Sequence, residues 1–190
     1  MKTGKIIIFS APSGSGKTTI VKHLLNQKNL SLMFSVSATS RLPRKGEIDG
    51  KDYFFLKEKD FKEKINNDEF LEYEEVYPGF FYGTLKKEID RIWNFGKNII
   101  FDIDVIGGLN IKKKYPDQTL SIFLEAPNNN DIEKRLINRN LDSKKMIKLR
   151  IDKIREEIKL AEKFDISLLN NDLNEAKIKA EKLIKNFINT

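Results

Sequence analysis

Five short apolar runs recur along the chain, and polar or amphipathic stretches separate them. The runs are rich in Ile, Leu, Val and Phe and cover residues 5–10, 34–37, 98–103, 119–124 and 166–169. Strands that alternate with helices are typical of a parallel sheet whose faces are covered by those helices. We therefore predict an α/β fold of three layers, in which each run forms one strand of a parallel core sheet.

Two regions break this alternation. Residues 38–84 contain short aromatic-rich runs around one helical pattern with Phe61 and Ile65, which predicts a small mixed β/α subdomain inserted into the core. Two charged helical patterns follow residue 127 and predict a helical hairpin. We expect a single domain over residues 1–190. Its parts are a core of residues 1–36, 86–127 and 160–190, an inserted subdomain of residues 37–85 and a hairpin of residues 128–159.

A glycine-rich turn joins the first strand to the first helix. Gly14 and Gly16 allow backbone N–H groups to point at phosphate oxygens at the positive end of that helix. Lys17 can reach the β- and γ-phosphates, and Thr18 stands where the P-loop pattern places a hydroxyl on Mg²⁺, although Ala11 replaces the first glycine of the strict pattern. An ordinary Gly/Ser connection is the alternative. The turn predicts an ATP site formed by Ala11, Pro12, Ser13, Gly14, Ser15, Gly16, Lys17, Thr18 and Thr19.

Composition narrows the classes of partner. The 190 residues carry a net charge of +7, but the lysines are scattered beside glutamates without a basic block, which is typical of solvated helix faces rather than a nucleic-acid site. The chain has no cysteine, so disulfides and thiolate metal sites are excluded. We find no stretch long enough to span a membrane and no leader before the first strand, and we expect a cytoplasmic protein.

A second motif follows the phosphate-binding turn. Between residues 35 and 55, a serine, two arginines that flank a proline, a Gly-Glu pair and an Asp-Tyr pair occur in order. This pattern closely resembles guanylate kinases, and further similarity at residues 69–72, 81–84 and 101–104 extends it over almost the whole chain. The resemblance implies a P-loop nucleoside-monophosphate kinase fold. It also implies a GMP site formed by Ser37, Arg41, Arg44, Glu47, Tyr53, Glu72, Tyr82, Thr84 and Asp104.

The implied roles agree with the chemistry of the side chains. Arg41 and Arg44 are permanently charged forks that suit the oxygens of a monophosphate, and Tyr53 and Tyr82 can donate hydroxyl hydrogen bonds to it. Guanine offers O6 as an acceptor and a 2-amino group as a donor. A site that prefers guanine therefore needs hydroxyl donors and a carboxylate acceptor, for which the resemblance points to Glu72. Without the resemblance, Glu72 reads as one of several solvated strand carboxylates.

The resemblance also assigns residues to the donor side. Asp102 ends a buried strand, where an acid can hold Mg²⁺ together with Thr18, whereas a helix N-cap is the alternative for both Asp102 and Asp104. Asn170 follows the last strand, near the expected adenine base of ATP. The implied catalytic residues are Lys17, Arg41 and three arginines of the hairpin, which would act as a lid: Arg135, Arg139 and Arg150.

The implied reaction is ATP + GMP giving ADP + GDP, with Mg²⁺ as cofactor, tolerance of dGMP and a place in purine nucleotide metabolism or salvage. We expect only these small-molecule partners, with no nucleic acid, membrane or obligate protein partner, in a monomer or homodimer. One alternative is a non-catalytic guanylate-kinase-like binding module, which the intact Gly14-to-Thr18 motif disfavours. Another is a small kinase for adenylate, shikimate or a different acceptor, which the pattern of residues 37–53 disfavours.

Overall fold

The computed structural model of the chain describes residues 4–12, 15–126 and 144–190. The strands there are β1 (Ile6–Ser10), β2 (Leu32–Phe34), β3 (Ala38–Thr39), β4 (Phe54–Phe55), β5 (Phe70–Tyr77), β6 (Phe80–Leu85), β7 (Asn98–Asp102), β8 (Thr119–Glu125) and β9 (Ile166–Leu169). The α-helices are α1 (Lys17–Leu25), α2 (Glu58–Asn66), α3 (Lys86–Asn94), α4 (Val105–Lys114), α5 (Lys144–Lys159) and α6 (Leu173–Ile188). Strands and helices thus alternate in the core, as the apolar runs predict.

The core sheet has five parallel strands in the order β2-β7-β1-β8-β9. Successive side chains of a strand face opposite sides of a sheet, and the central strand β1 follows this rule. Ile7 packs with residues of α1 and α6 on one face, whereas Ile6 and Ile8 pack with residues of α3 and α4 on the other. Because both faces are buried, the strands read as continuous apolar runs. The predicted three-layer α/β fold is confirmed.

A second, four-stranded sheet lies in the inserted region, in the order β4-β3-β6-β5. It is mixed, because β3 pairs with β4 in parallel and with β6 in antiparallel. Its own small core contains Phe61 of α2, whose ring stacks on Phe70 with centroids 4.4 Å apart. The aromatic runs that break the alternation therefore build a separate layer with its own apolar packing.

The second predicted strand differs from the observed one. Residues 34–37 were expected to be extended in the core sheet, but β2 covers Leu32–Phe34 and pairs with β7 there. The backbone N–H of Val36 donates to Glu88 Oε2 at 3.0 Å instead of to a neighbouring strand. This contact with the buried Glu88 carboxylate satisfies the Val36 N–H outside the core sheet, and the same segment continues into β3 of the second sheet.

The connections place the glycine-rich turn and Asp102 side by side. The turn follows β1, Asp102 ends β7, and these two parallel strands are neighbours in register, with Phe9 opposite Asp102. Ligands of open parallel sheets bind at the carboxyl ends of strands, where the strand order reverses. The fold therefore presents the turn at the position that a nucleotide site needs. No helix in the described parts of the chain is long and apolar enough to cross a membrane.

Candidate active site

A cleft of about 370 Å³ lies between the glycine-rich turn, the second sheet and helix α5. Residues from distant parts of the sequence meet on its wall. The predicted site residues that line it are Ala11, Pro12, Ser15, Gly16, Lys17, Thr18, Thr19, Ser37, Arg41, Arg44, Tyr53, Glu72, Tyr82, Asp102 and Asp104. The fold thus brings the predicted ATP and GMP residues into one continuous space.

Other predicted site residues lie elsewhere. Glu47 pairs with Arg41, Thr84 is fully buried opposite Glu72 in the β5–β6 pair, and Asn170 hydrogen-bonds to the backbone of the glycine-rich turn. Ser13 and Gly14 of the turn and the hairpin residues Arg135 and Arg139 lie outside the described residues, as does the side chain of Arg150.

The glycine-rich turn is supported by contacts that explain its sequence. Gly16 has φ of +94°, a left-handed conformation that glycine adopts without strain. The side-chain amide of Asn170 donates to the Ser15 carbonyl at 2.7 Å, and a Cβ on Gly16 would lie 2.8 Å from that amide nitrogen. Ala11 is buried in the core beside α1, so a methyl group is accommodated where the strict pattern has glycine.

Lys17, Thr18 and Asp102 form a contact network at the start of α1. Lys17 Nζ lies 2.5 Å from Asp102 Oδ1 and donates to the Ile103 carbonyl at 2.9 Å. The Thr18 hydroxyl donates to the other carboxylate oxygen, Asp102 Oδ2, at 2.7 Å. A cation, a hydroxyl and a carboxylate therefore lie together at the N-terminal end of a helix, where anions are favoured.

Arg41 is held at two points in the cleft. Its Nη1 and Nη2 donate to the two oxygens of Glu47 at 2.7 and 2.6 Å, and its guanidinium lies 5.1 Å from the Tyr53 ring centroid. Burial alone would lower the pKa of Arg41, but hydrogen bonding to Glu47, the charge of Glu47 and the nearby Tyr82 together outweigh it and raise that pKa. Arg41 Nε is buried without a hydrogen-bond partner among the described residues, so it can still donate to a ligand.

Tyr53 and Tyr82 lie beside this guanidinium, with ring centroids 6.0 Å apart in an edge-on arrangement. Burial, with the neighbouring Tyr82 as a smaller contribution, raises the pKa of Tyr53 to about 12, so its hydroxyl stays protonated and can donate. Arg44 keeps an exposed side chain, while its backbone N–H donates to Glu47 at 2.6 Å. Glu47 therefore organises both arginines.

Glu72 is a buried carboxyl group on the cleft wall. Only 7% of the residue is exposed, and burial raises its pKa to about 7, although the nearby Thr84 opposes this shift. Neither Glu72 Oε1 nor the Thr84 hydroxyl has a partner with hydrogen-bond geometry among the described residues. The other oxygen, Oε2, lies so close to Gly107 that a Cβ there would be 2.9 Å from it. A buried acceptor without a donor is costly, which makes Glu72 Oε1 a candidate ligand contact.

The chain is similar to known proteins over nearly its whole length. A family model described as guanylate kinase matches residues 3–187 of the chain. The chain belongs to the guanylate kinase family. A guanylate kinase from Bacteroides fragilis is 51% identical over 98% of this chain and 92% of its own length. One from Porphyromonas gingivalis is 47% identical over 97% of this chain and 98% of its own length. The crystal structure of guanylate kinase from Anaplasma phagocytophilum superimposes with a TM-score of 0.79 at 28% identity, covering 98% of this chain and 87% of that one.

Guanylate kinases are enzymes, and so is this chain: a nucleotide-binding transferase with a P-loop. The family named by the sequence motifs is thus confirmed, and the three-layer core with a second mixed sheet agrees with the matched structure. The binding-module alternative is set aside, because the curated relatives are enzymes and the similarity extends over nearly the full chain.

The cleft also contains charged residues that sequence reasoning did not select. They are Glu74 on β5 and Lys153 and Glu157 on α5. Alternation along β5 was a usable signal for Glu74, since residues two apart share a face and Glu72 faces inward. No local pattern marks Lys153 or Glu157, because their position depends on how α5 docks.

These three residues form a charged cluster with Asp104. Burial and the neighbouring Asp104 raise the pKa of Glu74 to about 8, and burial raises the pKa of Glu157 to about 7. Burial also favours the neutral form of Asp104, but hydrogen bonding with Glu74 and the charge of Lys153 outweigh it and lower the Asp104 pKa. Glu74 Oε2 finds no donor in the described structure, so a proton on Glu74 is well placed to be shared with Asp104.

Proposed function

We propose that this enzyme transfers the γ-phosphoryl group of ATP to GMP, giving ADP and GDP, within the cleft described above. One observation carries the proposal: Lys17 of the P-loop and the buried, unpartnered acceptor of Glu72 line the same cleft, together with Arg41. A phosphate donor and a guanine-bearing acceptor can therefore occupy one continuous space.

The acceptor end supplies the groups that GMP needs. Glu72 would accept from the ring N–H and the 2-amino group of guanine, and Asp104 would accept a further amino hydrogen. Ser37 and Thr84 would offer hydroxyls to the base. The monophosphate would meet Arg41 and Arg44 and the hydroxyls of the two tyrosines, which supply charge and fixed donors.

The donor end fits a nucleoside triphosphate with Mg²⁺. Lys17 would bind the β- and γ-phosphates at the helix N-terminus. The hydroxyl of Thr18 and the carboxylate of Asp102 lie 2.7 Å apart and are oxygen ligands of the kind Mg²⁺ prefers. When bound, the ion neutralises phosphate charge. Asn170 would act near the adenine base or, as its contact with Ser15 suggests, through the loop backbone.

Catalysis here requires alignment more than proton transfer. The attacking atom is an anionic phosphate oxygen of GMP, so no general base is needed. Arg41, fixed by Glu47, would aim that oxygen, and Lys17 would offset charge on the transferring group. Arg135, Arg139 and Arg150 of the hairpin are proposed to complete this charge compensation as a lid. The proposed parts are the core, the acceptor-binding subdomain of residues 37–85 and the lid of residues 128–159.

The same cleft chemistry supports proposals on dGMP as an acceptor and on the oligomeric state. The proposed contacts to GMP involve the base and the phosphate, so dGMP, which lacks only the 2′-hydroxyl, should also react. All proposed groups come from one chain, so a monomer or a homodimer would serve without another protein partner. We propose action in the cytoplasm, where ATP and GMP are available, within purine nucleotide metabolism or salvage.

A coupled assay of ADP formation tests the proposal. The acceptors are GMP, dGMP, IMP and AMP, each with ATP and Mg²⁺. We expect GMP to exceed AMP in kcat/KM by about 10⁴, because a site that pairs a substrate's polar groups rejects an analogue lacking them. Comparable turnover of AMP and GMP would contradict the assignment of the acceptor.

A further inference from the structure

Lys153 connects three separate segments of the chain inside the cleft. Its Nζ lies 3.1 Å from Glu74 Oε1 on β5 and 3.3 Å from Asp104 Oδ2, at the start of α4. Lys153 itself is on α5, and only 14% of its side chain is exposed. A lysine this enclosed loses rotamer freedom and hydration, so its contacts with two carboxyl groups define its position.

The consequence for Asp104 is that both carboxylate oxygens are engaged. Oδ1 accepts from the backbone N–H of Gly107 at 2.8 Å, which caps helix α4, and Oδ2 faces Lys153. The N-cap bond fixes one oxygen to the core, whereas the Lys153 contact fixes the direction of the other. Asp104 therefore presents a defined orientation to the cleft that the N-cap bond alone does not impose.

Glu74 gives Lys153 its second anchor. It faces the cleft from the same side of β5 as Glu72, two residues earlier, so Lys153 reaches the strand that carries the proposed base-reading carboxylate. Glu157, one helical turn beyond Lys153, lies on the same wall. Lys153 is therefore the cation among these carboxyl groups and contacts two of them directly.

We infer that Lys153 is a positioning residue of the guanine pocket: it orients Asp104 toward the 2-amino group of guanine and thereby sets the preference for GMP over IMP. The inference rests on the proposed function. IMP has the same phosphate, ribose and ring N–H as GMP but lacks the 2-amino group, so it does not use Asp104. A merely structural tie between α5 and the second sheet would affect both acceptors alike.

The experiment compares Lys153→Met with Lys153→Arg and with Lys148→Met, an exposed lysine on the same helix. Steady-state kcat/KM is measured for GMP and IMP, with KM for ATP and a thermal unfolding midpoint for each variant. Lys153→Met should lower the GMP-to-IMP ratio of kcat/KM about tenfold, the scale of one hydrogen bond to a charged group, with KM for ATP within about twofold. Lys153→Arg should restore most of the ratio, and Lys148→Met should leave it unchanged.

A double-mutant cycle with Glu74→Gln tests the anchor. If Glu74 acts through Lys153, adding Glu74→Gln to Lys153→Met should produce no further fall in the ratio. Should Lys153→Met fail to fold, Lys153→Gln, which keeps a hydrogen-bond donor but no charge, replaces it with the same expected fall in the ratio. An unchanged ratio in a folded Lys153 variant overturns the inference while leaving the proposed function intact. An unmodified enzyme that does not prefer GMP over IMP overturns the pocket assignment and this inference with it.

Discussion

Arg41 and Glu47 form a two-pronged ion pair on the wall of the acceptor cleft. Each terminal nitrogen of the guanidinium donates to a separate carboxylate oxygen, at 2.7 and 2.6 Å, and only 8% of Arg41 is exposed. The pair fixes the plane of the guanidinium and leaves its buried Nε without a hydrogen-bond partner among the described residues. We therefore propose that Glu47 acts on the substrate through Arg41, although the sequence motif groups both as binding residues.

The first prediction follows from this pair. Glu47→Gln removes one charged acceptor and frees Arg41 to rotate, so KM for GMP should rise about tenfold, in line with the loss of a charge-assisted hydrogen bond. KM for ATP should change less than about twofold. The matched control is Glu58→Gln, at an exposed glutamate that pairs with Lys62 on α2. Equal changes in the KM of both substrates would argue against a role specific to the acceptor.

Lys17 provides the second prediction. Lys17→Met should leave a folded protein but lower kcat by about a thousandfold, because a preorganised cation is lost where charge develops. Lys22→Met, at an exposed position one turn along α1, should retain full activity. A coupled assay and circular dichroism check both variants. If Lys17→Met turns over normally, the P-loop is not the site of transfer.

The third prediction concerns the proposed metal ligands. Thr18→Val deletes the hydroxyl that contacts Asp102, so the Mg²⁺ concentration needed for half-maximal rate should rise about tenfold, the scale of a weakened metal site. Calorimetry of ATP binding supplies a second readout. Without Mg²⁺, the variant should bind ATP with the affinity of the unmodified enzyme, and its affinity should increase less when Mg²⁺ is added. A variant with an unaltered Mg²⁺ requirement would remove Thr18 from the proposed ligand set.

The fourth prediction is a pH dependence of stability caused by Glu72. Its pKa is about 7 in the folded protein and 4.5 as the reference for the unfolded chain, so the folded state binds the extra proton between these values. Stability conferred by the neutral form is therefore lost as pH rises from 4.5 to 7, by up to about 3 kcal/mol. Above pH 7 this contribution stays constant.

Denaturant unfolding at pH 5 and pH 8 measures this effect. Glu72→Gln stays neutral throughout, so it should not lose this stability. The difference in free energy of unfolding, variant minus unmodified enzyme, should therefore become more positive from pH 5 to pH 8. Glu63→Gln, at an exposed glutamate on α2, should track the unmodified enzyme. A Glu72→Gln curve parallel to that of the unmodified enzyme would mean that Glu72 is ionised across this range.

Much of the fold is predictable because its signals are local. The apolar runs at residues 5–10 and 98–103 become β1 and β7 with only their ends shifted. The P-loop is recognisable because glycines, lysine and threonine are adjacent in sequence. The run at residues 34–37 is less well predicted, since the Val36 bond to Glu88 depends on the packing of α3, fifty-two positions away.

The acceptor cleft is only partly visible in the sequence. Glu72 is more buried than Glu69, Glu74 and Glu75, and only the assembled sheet establishes that burial, so the resemblance was needed to choose Glu72. Lys153 and Glu74 lie 79 positions apart and meet because α5 docks over β5, which no periodic pattern encodes. Long-range charge pairs of this kind depend on tertiary structure and escape local analysis.

The most direct test of the account is the base preference of Glu72→Gln. Glutamine keeps the size but replaces one acceptor with a donor, so kcat/KM for GMP should fall about ten- to a hundredfold while that for AMP does not, and KM for ATP should stay nearly constant. Arg44→Ala is the control, because loss of a phosphate contact should weaken every monophosphate alike. Assays of both variants with GMP, IMP and AMP would contradict the account if Glu72→Gln leaves the GMP-to-AMP ratio at the value of the unmodified enzyme.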